Sequence, residues 1–336
     1  MGEISYFRKN GYFQYPRILQ IEITTRCSLH CPQCYKDLRE ERDIDYEWLC
    51  GLLKEQKDYG LKAVMLNGGE PLLYPHILPL LQMLEEWQIR SNCFTSGLGI
   101  HKATAARLRG LSNLFLNISL NGSTEEINAL SRDGYAVALK AISCLNAEGI
   151  AFGINWVARS DNVYDFPNVI ELAEKYHANN ILVVGNKINS NGFLESSLSL
   201  EELCHLNAII TEYEKGNGKI PIIIQQCYTD LSLLHGLSPY PINNGCSAGR
   251  IFCAINGKGQ FMPCTHLPYY ETYESINDYW TKSEILKQLR EVTPKSLAGC
   301  SDCQKKDNCI FCRATERGTV GDLRSGRSHC ILNVKK

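Results

Sequence analysis

The chain has 336 residues and a formal net charge of −1, its 35 Lys and Arg offset by 36 Asp and Glu. That balance leaves no electrostatic footprint for nucleic acid or an anionic membrane. No stretch approaches the ~20 apolar residues of a membrane-spanning helix, and residues 1–16 lack the apolar core of a secretory signal, so the expected location is cytoplasmic.

In chain order, apolar strand runs alternate with helical stretches through the first two thirds, the pattern of βαβ units and a parallel sheet. Strands are predicted at 18–24, 63–67, 91–95, 114–120, 152–157 and 181–184. Helices are predicted between and after them at 46–59, 75–87, 102–109, 124–148 and 164–176, the fourth breaking near Asp133-Gly134. Six such units fit an α/β fold, a partial (β/α)6 TIM-like barrel with its helices outside. A helix at 200–215 follows, then the punctuation Gly216-Asn217-Gly218 and a strand-like run at 220–224. From Cys246 onward cysteines become dense and periodicity fades, leaving one helical stretch at 276–289. The expected organisation is a barrel at 17–215, a bridging segment at 216–245 and a small C-terminal cysteine-rich iron–sulfur domain at 246–334. Metal sites, rather than a large apolar core, are expected to hold that last domain together.

Sixteen cysteines are far more than an ordinary enzyme of a reducing compartment carries, and a chain this long does not need disulfides to fold. Their spacing is informative. Just after the first strand, Cys27, Cys31 and Cys34 read C-x3-C-x2-C. Three thiolates on one short loop can wrap three corners of an iron–sulfur cubane and leave one iron open for a substrate. A zinc site completed by His30 is the blander reading, but His30 adjoins Cys31, which is poor spacing for zinc.

Later strand ends carry further motifs: Asn67-Gly68-Gly69-Glu70-Pro71, Thr95-Ser96-Gly97, Ser119-Leu120-Asn121-Gly122 and Arg132-Asp133-Gly134. Two adjacent glycines let backbone approach a ligand closely, and a guanidinium is a bidentate partner for a carboxylate. All of these lie at C-terminal strand ends, where βα barrels build active sites. Together with the triplet they resemble the radical S-adenosylmethionine (radical SAM) superfamily. The resemblance implies a 4Fe-4S cluster on Cys27, Cys31 and Cys34 whose open iron binds S-adenosylmethionine (SAM). One electron then breaks the S–C5′ bond, and the 5′-deoxyadenosyl radical abstracts a substrate hydrogen. It further implies that Gly68, Gly69, Glu70, Thr95, Ser96, Ser119, Asn121 and Arg132 bind SAM. Gln33 and Asn121 depart from the family's usual residues.

Strand alternation groups Glu22 with Thr24, Cys93 with Thr95, and Asn117 with Ser119, with Asn155 on a fifth strand. If those faces point inward, the barrel interior is polar and Cys93 lies near the radical, a candidate catalytic hydrogen donor.

The C-terminal third reads Cys246-x6-Cys253-x10-Cys264, then Cys300-x2-Cys303-x5-Cys309-x2-Cys312-x17-Cys330. Eight cysteines suffice for two fully ligated four-iron clusters. A zinc ribbon on Cys300, Cys303, Cys309 and Cys312 is the alternative, and it leaves the other four without a role. The pattern resembles the SPASM motif of radical enzymes. Carried over, that resemblance implies one auxiliary cluster on Cys246, Cys253, Cys264 and Cys312 and a second on Cys300, Cys303, Cys309 and Cys330, three 4Fe-4S clusters in all. Cys50, Cys93, Cys144, Cys204 and Cys227 remain, and buried structural cysteine is the default for each.

The family resemblance implies a radical SAM oxidoreductase that modifies a peptide or protein by crosslinking, epimerisation or oxidation. A small-molecule substrate such as a sugar, cyclitol or tetrapyrrole is the alternative. An iron–sulfur electron carrier needs no Gly-Gly-Glu-Pro motif. Implied partners are a peptide substrate and an electron donor such as flavodoxin or ferredoxin. The barrel starts too early for the N-terminal peptide-recognition domain that relatives often carry, so leader recognition is expected to need another surface or a separate leader-peptide-binding protein.

Overall fold

The computed structural model describes residues 3–36, 40–187, 196–237, 245–297, 300–314, 323 and 330. Helix α1 (Glu3–Asn10) precedes β1 (Ile18–Thr24). The predicted alternation follows: α2 (Tyr46–Asp58), β2 (Ala63–Gly68), α3 (Ile77–Glu86), β3 (Arg90–Thr95), α4 (Lys102–Leu108) and β4 (Leu114–Ser119). The long helical stretch after β4 is two helices, α5 (Glu125–Ala129) and α6 (Tyr135–Ala147). They part at Gly134, whose φ of 83° no β-carbon-bearing residue adopts cheaply. Then come β5 (Phe152–Ala158), α7 (Phe166–Lys175), β6 (Ile181–Gly185) and α8 (Leu200–Lys215). Ser199 and Glu202 form a capping box that opens α8.

The chain continues through β7 (Ile222–Ile224), α9 (Thr229–Leu234), β8 (Phe252–Ile255), β9 (Phe261–Met262), α10 (Ile276–Lys282) and α11 (Glu284–Glu291). The helical stretch predicted at 276–289 is interrupted at Ser283, whose hydroxyl accepts from the Leu286 N–H and caps α11.

The nine strands form one sheet in the order β7-β6-β5-β4-β3-β2-β1-β8-β9. Neighbours from β7 to β8 pair in parallel, and β9 turns back on β8. Six consecutive βα units make the partial barrel, and β7 and β8 lengthen its sheet at opposite ends. The sheet therefore runs through the bridging segment and into the cysteine-rich one.

Alternate residues of each strand serve two different faces. On the outer face, Leu19, Ile21, Val64, Leu66, Leu116 and Ile154 are fully buried beneath the helices, against residues such as Leu49, Leu53, Leu80 and Leu84. On the inner face, Gln20, Met65, Asn67, Phe94, Ser119, Asn155, Val157 and Val184 line a cavity at the C-terminal ends of the strands. Burying the outer face drives the fold; the inner face is left for function.

The cysteine-rich segment departs from expectation. Ile276, Tyr279, Trp280, Leu286 and Leu289 join the main hydrophobic core, and β8 pairs with β1 from Ile18↔Phe252 to Ile21↔Ile255. Metal sites alone do not organise this part of the chain. A separate small apolar cluster, Val292, Leu297 and Phe311 with Cys300 and Cys309 packed on it, lies beyond α11.

Candidate active site

The loop after β1 carries Cys27, Cys31 and Cys34, and three neighbouring segments hold it. The Gly69 N–H donates to Thr24 O at 2.7 Å, and the Glu70 N–H donates to Arg26 O at 2.7 Å. On another side, the Thr25 N–H donates to Arg42 O at 2.8 Å, and Arg26 Nε donates to Asp43 Oδ2 at 2.9 Å. On the third, the Gln33 N–H reaches Ser131 O at 3.1 Å and the His30 N–H reaches Asp133 Oδ2 at 3.1 Å. Gly68 and Gly69 are required by this packing. A β-carbon on Gly68 would stand 2.1 Å from Thr24 O, and one on Gly69 would stand 2.4 Å from Arg26 O. The glycines bring the second strand end flat against the cysteine loop.

All three thiols face one cavity of about 240 Å³. His30 is exposed and is not among the lining residues. Burial pushes the Cys27 and Cys34 thiols above their usual range, so iron binding there displaces protons. Among the described residues, no three His, Cys, Asp or Glu side chains gather round a point suited to a single metal ion. A four-iron cubane asks instead for thiolates spread over the corners of a cube.

The same cavity receives Gly68, Gly69, Ser96, Ser119 and Arg132 from the sequence-predicted set. Several of its buried polar atoms have no hydrogen-bond partner among the described residues: Asn67 Oδ1, Arg132 Nε, Asn155 Oδ1 and His266 Nδ1. Buried polar atoms are nearly always satisfied, so a cluster of orphans in one cavity marks a place for a polar ligand. Three thiols, an unpaired guanidinium nitrogen and a backbone cradle fit a SAM-bound cluster.

Three predicted contacts have another job. Glu70 is 1 % exposed and is not among the lining residues. Its carboxylate accepts from Thr95 Oγ1 at 2.6 Å, Ser96 Oγ at 2.5 Å, Ser96 N–H at 2.8 Å and Leu72 N–H at 3.1 Å. Glu70 and Thr95 thus tie the ends of β2 and β3 together behind the cavity wall. Asn121 is fully buried; its side chain donates to Ser131 Oγ at 2.8 Å and accepts from the Val157 N–H at 3.1 Å. Since Ser131 O in turn accepts from Gln33, Asn121 braces the segment that holds both Arg132 and the cysteine loop.

Cys93 requires a correction. In β3 it is Phe94 that lines the cavity, while Cys93 is fully buried among the outer core residues. Adjacent strand residues point to opposite faces, so Cys93 and Thr95 face the helices and the expected hydrogen-donor role is withdrawn. Glu22 and Asn117 do fall in phase with the lining residues Gln20 and Ser119, but the interior is mixed rather than polar, with Met65, Phe94, Val157 and Val184 beside the polar side chains.

Several lining residues were not singled out from sequence: Gln20, Tyr35, Lys36, Lys187, Gln225 and His266. Gln20 was detectable as two residues before Glu22, and Lys187 and Gln225 as strand-end positions after β6 and β7. Lys36 pairs with the Glu22 carboxylate and lies over the Tyr35 ring, while the Tyr35 ring packs on His266 at 4.3 Å between centroids. Burial lowers the His266 pKa well below the usual range, so its imidazole stays neutral. His266 lies two residues from Cys264, so the cysteine-rich segment contributes part of the cavity wall.

Among the later cysteines, Cys246, Cys264 and Cys312 lie near one another. Burial pushes the Cys264 thiol up to about 12, and Cys246 and Cys312 add to that rise. Cys253 does not join them, contrary to the ligand set implied above. It pairs in register with the outward-facing Leu19 and is fully buried, with Tyr279 and Arg290 near it. The Cys303 N–H donates to Cys300 O at 3.0 Å, closing the first CxxC turn, and Cys309 and Cys300 share one apolar cluster. Cys330 is buried.

Comparison with known proteins follows this geometry. A family model described as the radical SAM superfamily matches residues 21–173. The AdoMet-dependent heme synthase of Methanosarcina barkeri is 23% identical, over 96% of this chain and 98% of that protein. The PqqA peptide cyclase of Methylorubrum populi is 24% identical, over 94% of this chain and 85% of the cyclase. Among solved structures, SuiB of Streptococcus suis bound to S-adenosylmethionine superposes with a TM-score of 0.82 at 19% identity, covering 97% of this chain and 80% of SuiB. SuiB bound to its precursor peptide SuiA gives 0.81 at 20% identity, covering 97% and 78%.

Proposed function

We propose that the chain is an enzyme of the radical SAM superfamily that cleaves SAM reductively and uses the resulting radical to modify a peptide. The observation that carries this reading is the convergence of three thiols, the Gly68–Gly69 cradle and the unpaired Arg132 Nε on one cavity. Cys27, Cys31 and Cys34 would hold the cluster. Arg132 offers its guanidinium to a carboxylate, and the orphaned Asn67 and Asn155 carbonyl oxygens are acceptors for ammonium or hydroxyl groups. When bound, the cluster and SAM supply a 5′-deoxyadenosyl radical. The chain's own part is to orient the ligand, exclude water and keep the outer strand ends rigid through Glu70 and Asn121.

A peptide substrate is supported by the likeness to a peptide cyclase and to a structure bound to a precursor peptide. The cavity's mixed polar and apolar lining suits such a substrate. A second reading, a tetrapyrrole substrate, is favoured by one specific observation: the heme synthase matches this chain almost end to end, over 98% of its own length. Two auxiliary clusters on the later cysteines, an external electron donor and a leader-binding partner belong to this proposal too.

Anaerobically reconstituted protein given dithionite and SAM is expected to release 5′-deoxyadenosine, and Cys27→Ala to release none. Co-expression with short peptides encoded beside the gene, followed by mass spectrometry, should then show a peptide losing two hydrogens or changing stereochemistry. Turnover of a propionate-bearing tetrapyrrole with no peptide altered would transfer the assignment to the second reading.

A further inference from the structure

The first auxiliary cluster implied by sequence is short of a ligand in this structure. Cys246, Cys264 and Cys312 lie together, but Cys253 faces the opposite side of the sheet beneath α10 and α11. Another cysteine stands close by. Cys227, in the loop between β7 and α9, lines one small cavity with Cys312 and donates from Sγ to Gln225 Oε1 at 2.9 Å. We propose that Cys227 is the fourth ligand of the first auxiliary cluster, with Cys246, Cys264 and Cys312, and that Cys253 is a core residue.

Two further observations support this assignment. The backbone around Cys227 is locked to the backbone around Cys312: Thr229 Oγ1 donates to Ile310 O at 3.3 Å and accepts from the Cys312 N–H at 3.3 Å. That juxtaposition is built into the fold across 83 residues of sequence. Moreover, Lys187 is buried with Nζ 3.2 Å from Cys227 O and 3.6 Å from Cys312 Sγ. A buried ammonium is stable only beside negative charge, which a thiolate-ligated cluster supplies. On ligation each thiol releases its proton to solvent as its sulfur binds iron, and no electron moves. Cys227 and Lys187 also line a small cavity with Cys312, adjoining the catalytic one through Gly185, Asn186 and Lys187. The first auxiliary cluster would therefore sit against the substrate cavity.

This inference rests on the auxiliary-cluster reading above, and its test is independent of any substrate. In a background of Cys27→Ala, Cys31→Ala and Cys34→Ala, all bound iron reports on the auxiliary sites, about eight per chain for two cubanes. Adding Cys227→Ala is expected to lower iron toward about four, or to replace one four-iron electron paramagnetic resonance (EPR) signal with a three-iron signal. Cys227→Ser, offering an oxygen at the same place, should retain the iron and shift that signal. Cys253→Ala should leave iron content and spectrum unchanged. A Cys227→Ala spectrum and iron content identical to the background would overturn the proposal. So would loss of a cluster on Cys253→Ala with unchanged far-UV circular dichroism. A background that binds no iron sinks the auxiliary clusters and this inference together, and 5′-deoxyadenosine release by the unsubstituted chain still tests the catalytic reading separately.

Discussion

Glu70 illustrates how a motif can be read correctly and its residue misplaced. The Gly-Gly-Glu-Pro run marks the right strand end, but its carboxylate is fully engaged by Thr95, Ser96 and Leu72. The two glycines ahead of it are what meet the cavity. Cys93 fails for a related reason. Both faces of a parallel strand are buried, so alternation separates two faces without saying which is inner. In β3 the small side chains Ser91, Cys93 and Thr95 pack beneath the helices, and the larger Phe94 faces inward. The expected outcome follows directly: Cys93→Ala removes one buried sulfur, costs about 1–2 kcal/mol of stability in denaturant unfolding, and leaves 5′-deoxyadenosine formation at the wild-type rate. A slowed reaction at unchanged stability would put Cys93 back in the chemistry.

At the scale of elements, the six barrel strands were legible because each is a β-rich apolar run bounded by turn residues. The breaks were less so. Ser283 ends one helix and caps the next by a single hydroxyl, and a periodicity running across it gives no sign of that. Strand β8 is not legible in the sequence, because it is four residues long and lies where periodicity fades among the cysteines. The junction of β2 with the cysteine loop yields a sharp test. Gly68 has a φ of 141°, and an added β-carbon would meet backbone oxygen at 2.1 Å. Gly68→Ala is therefore expected to cost about 3 kcal/mol or more and to displace the loop, lowering bound iron by about four per chain and abolishing SAM cleavage. Gly51→Ala is the control. Its β-carbon would meet nothing within 4 Å on α2, and it should stabilise the helix by about 0.5–1 kcal/mol.

For the whole molecule, the question is whether the cysteine-rich third is an appendage or part of the barrel. Strand β8 covers the edge of β1, and β1 leads directly into the cysteine loop. Helices α10 and α11 place Tyr279, Trp280, Leu286 and Leu289 in the main core. The N-terminal segment is docked on the same helices: Trp280 Nε1 donates to Phe13 O at 3.0 Å, and the Arg290 guanidinium lies 4.1 Å over the Tyr12 ring. Arg250 joins the two, donating to Gly11 O at 3.0 Å and to Arg290 O at 2.5 Å. A chain ending at Gly245 would lose all of this at once. It would bare β1 as an unpaired edge, the geometry that templates aggregation, and uncover apolar surface that the unfolding balance of a marginally stable domain does not tolerate. The truncated chain is accordingly expected to aggregate on size-exclusion chromatography and to bind no iron at Cys27, Cys31 and Cys34, although all three are present. A monodisperse product that melts cooperatively and still cleaves SAM would instead mean that the barrel folds alone, and that β8 and the two helices were added to a finished domain.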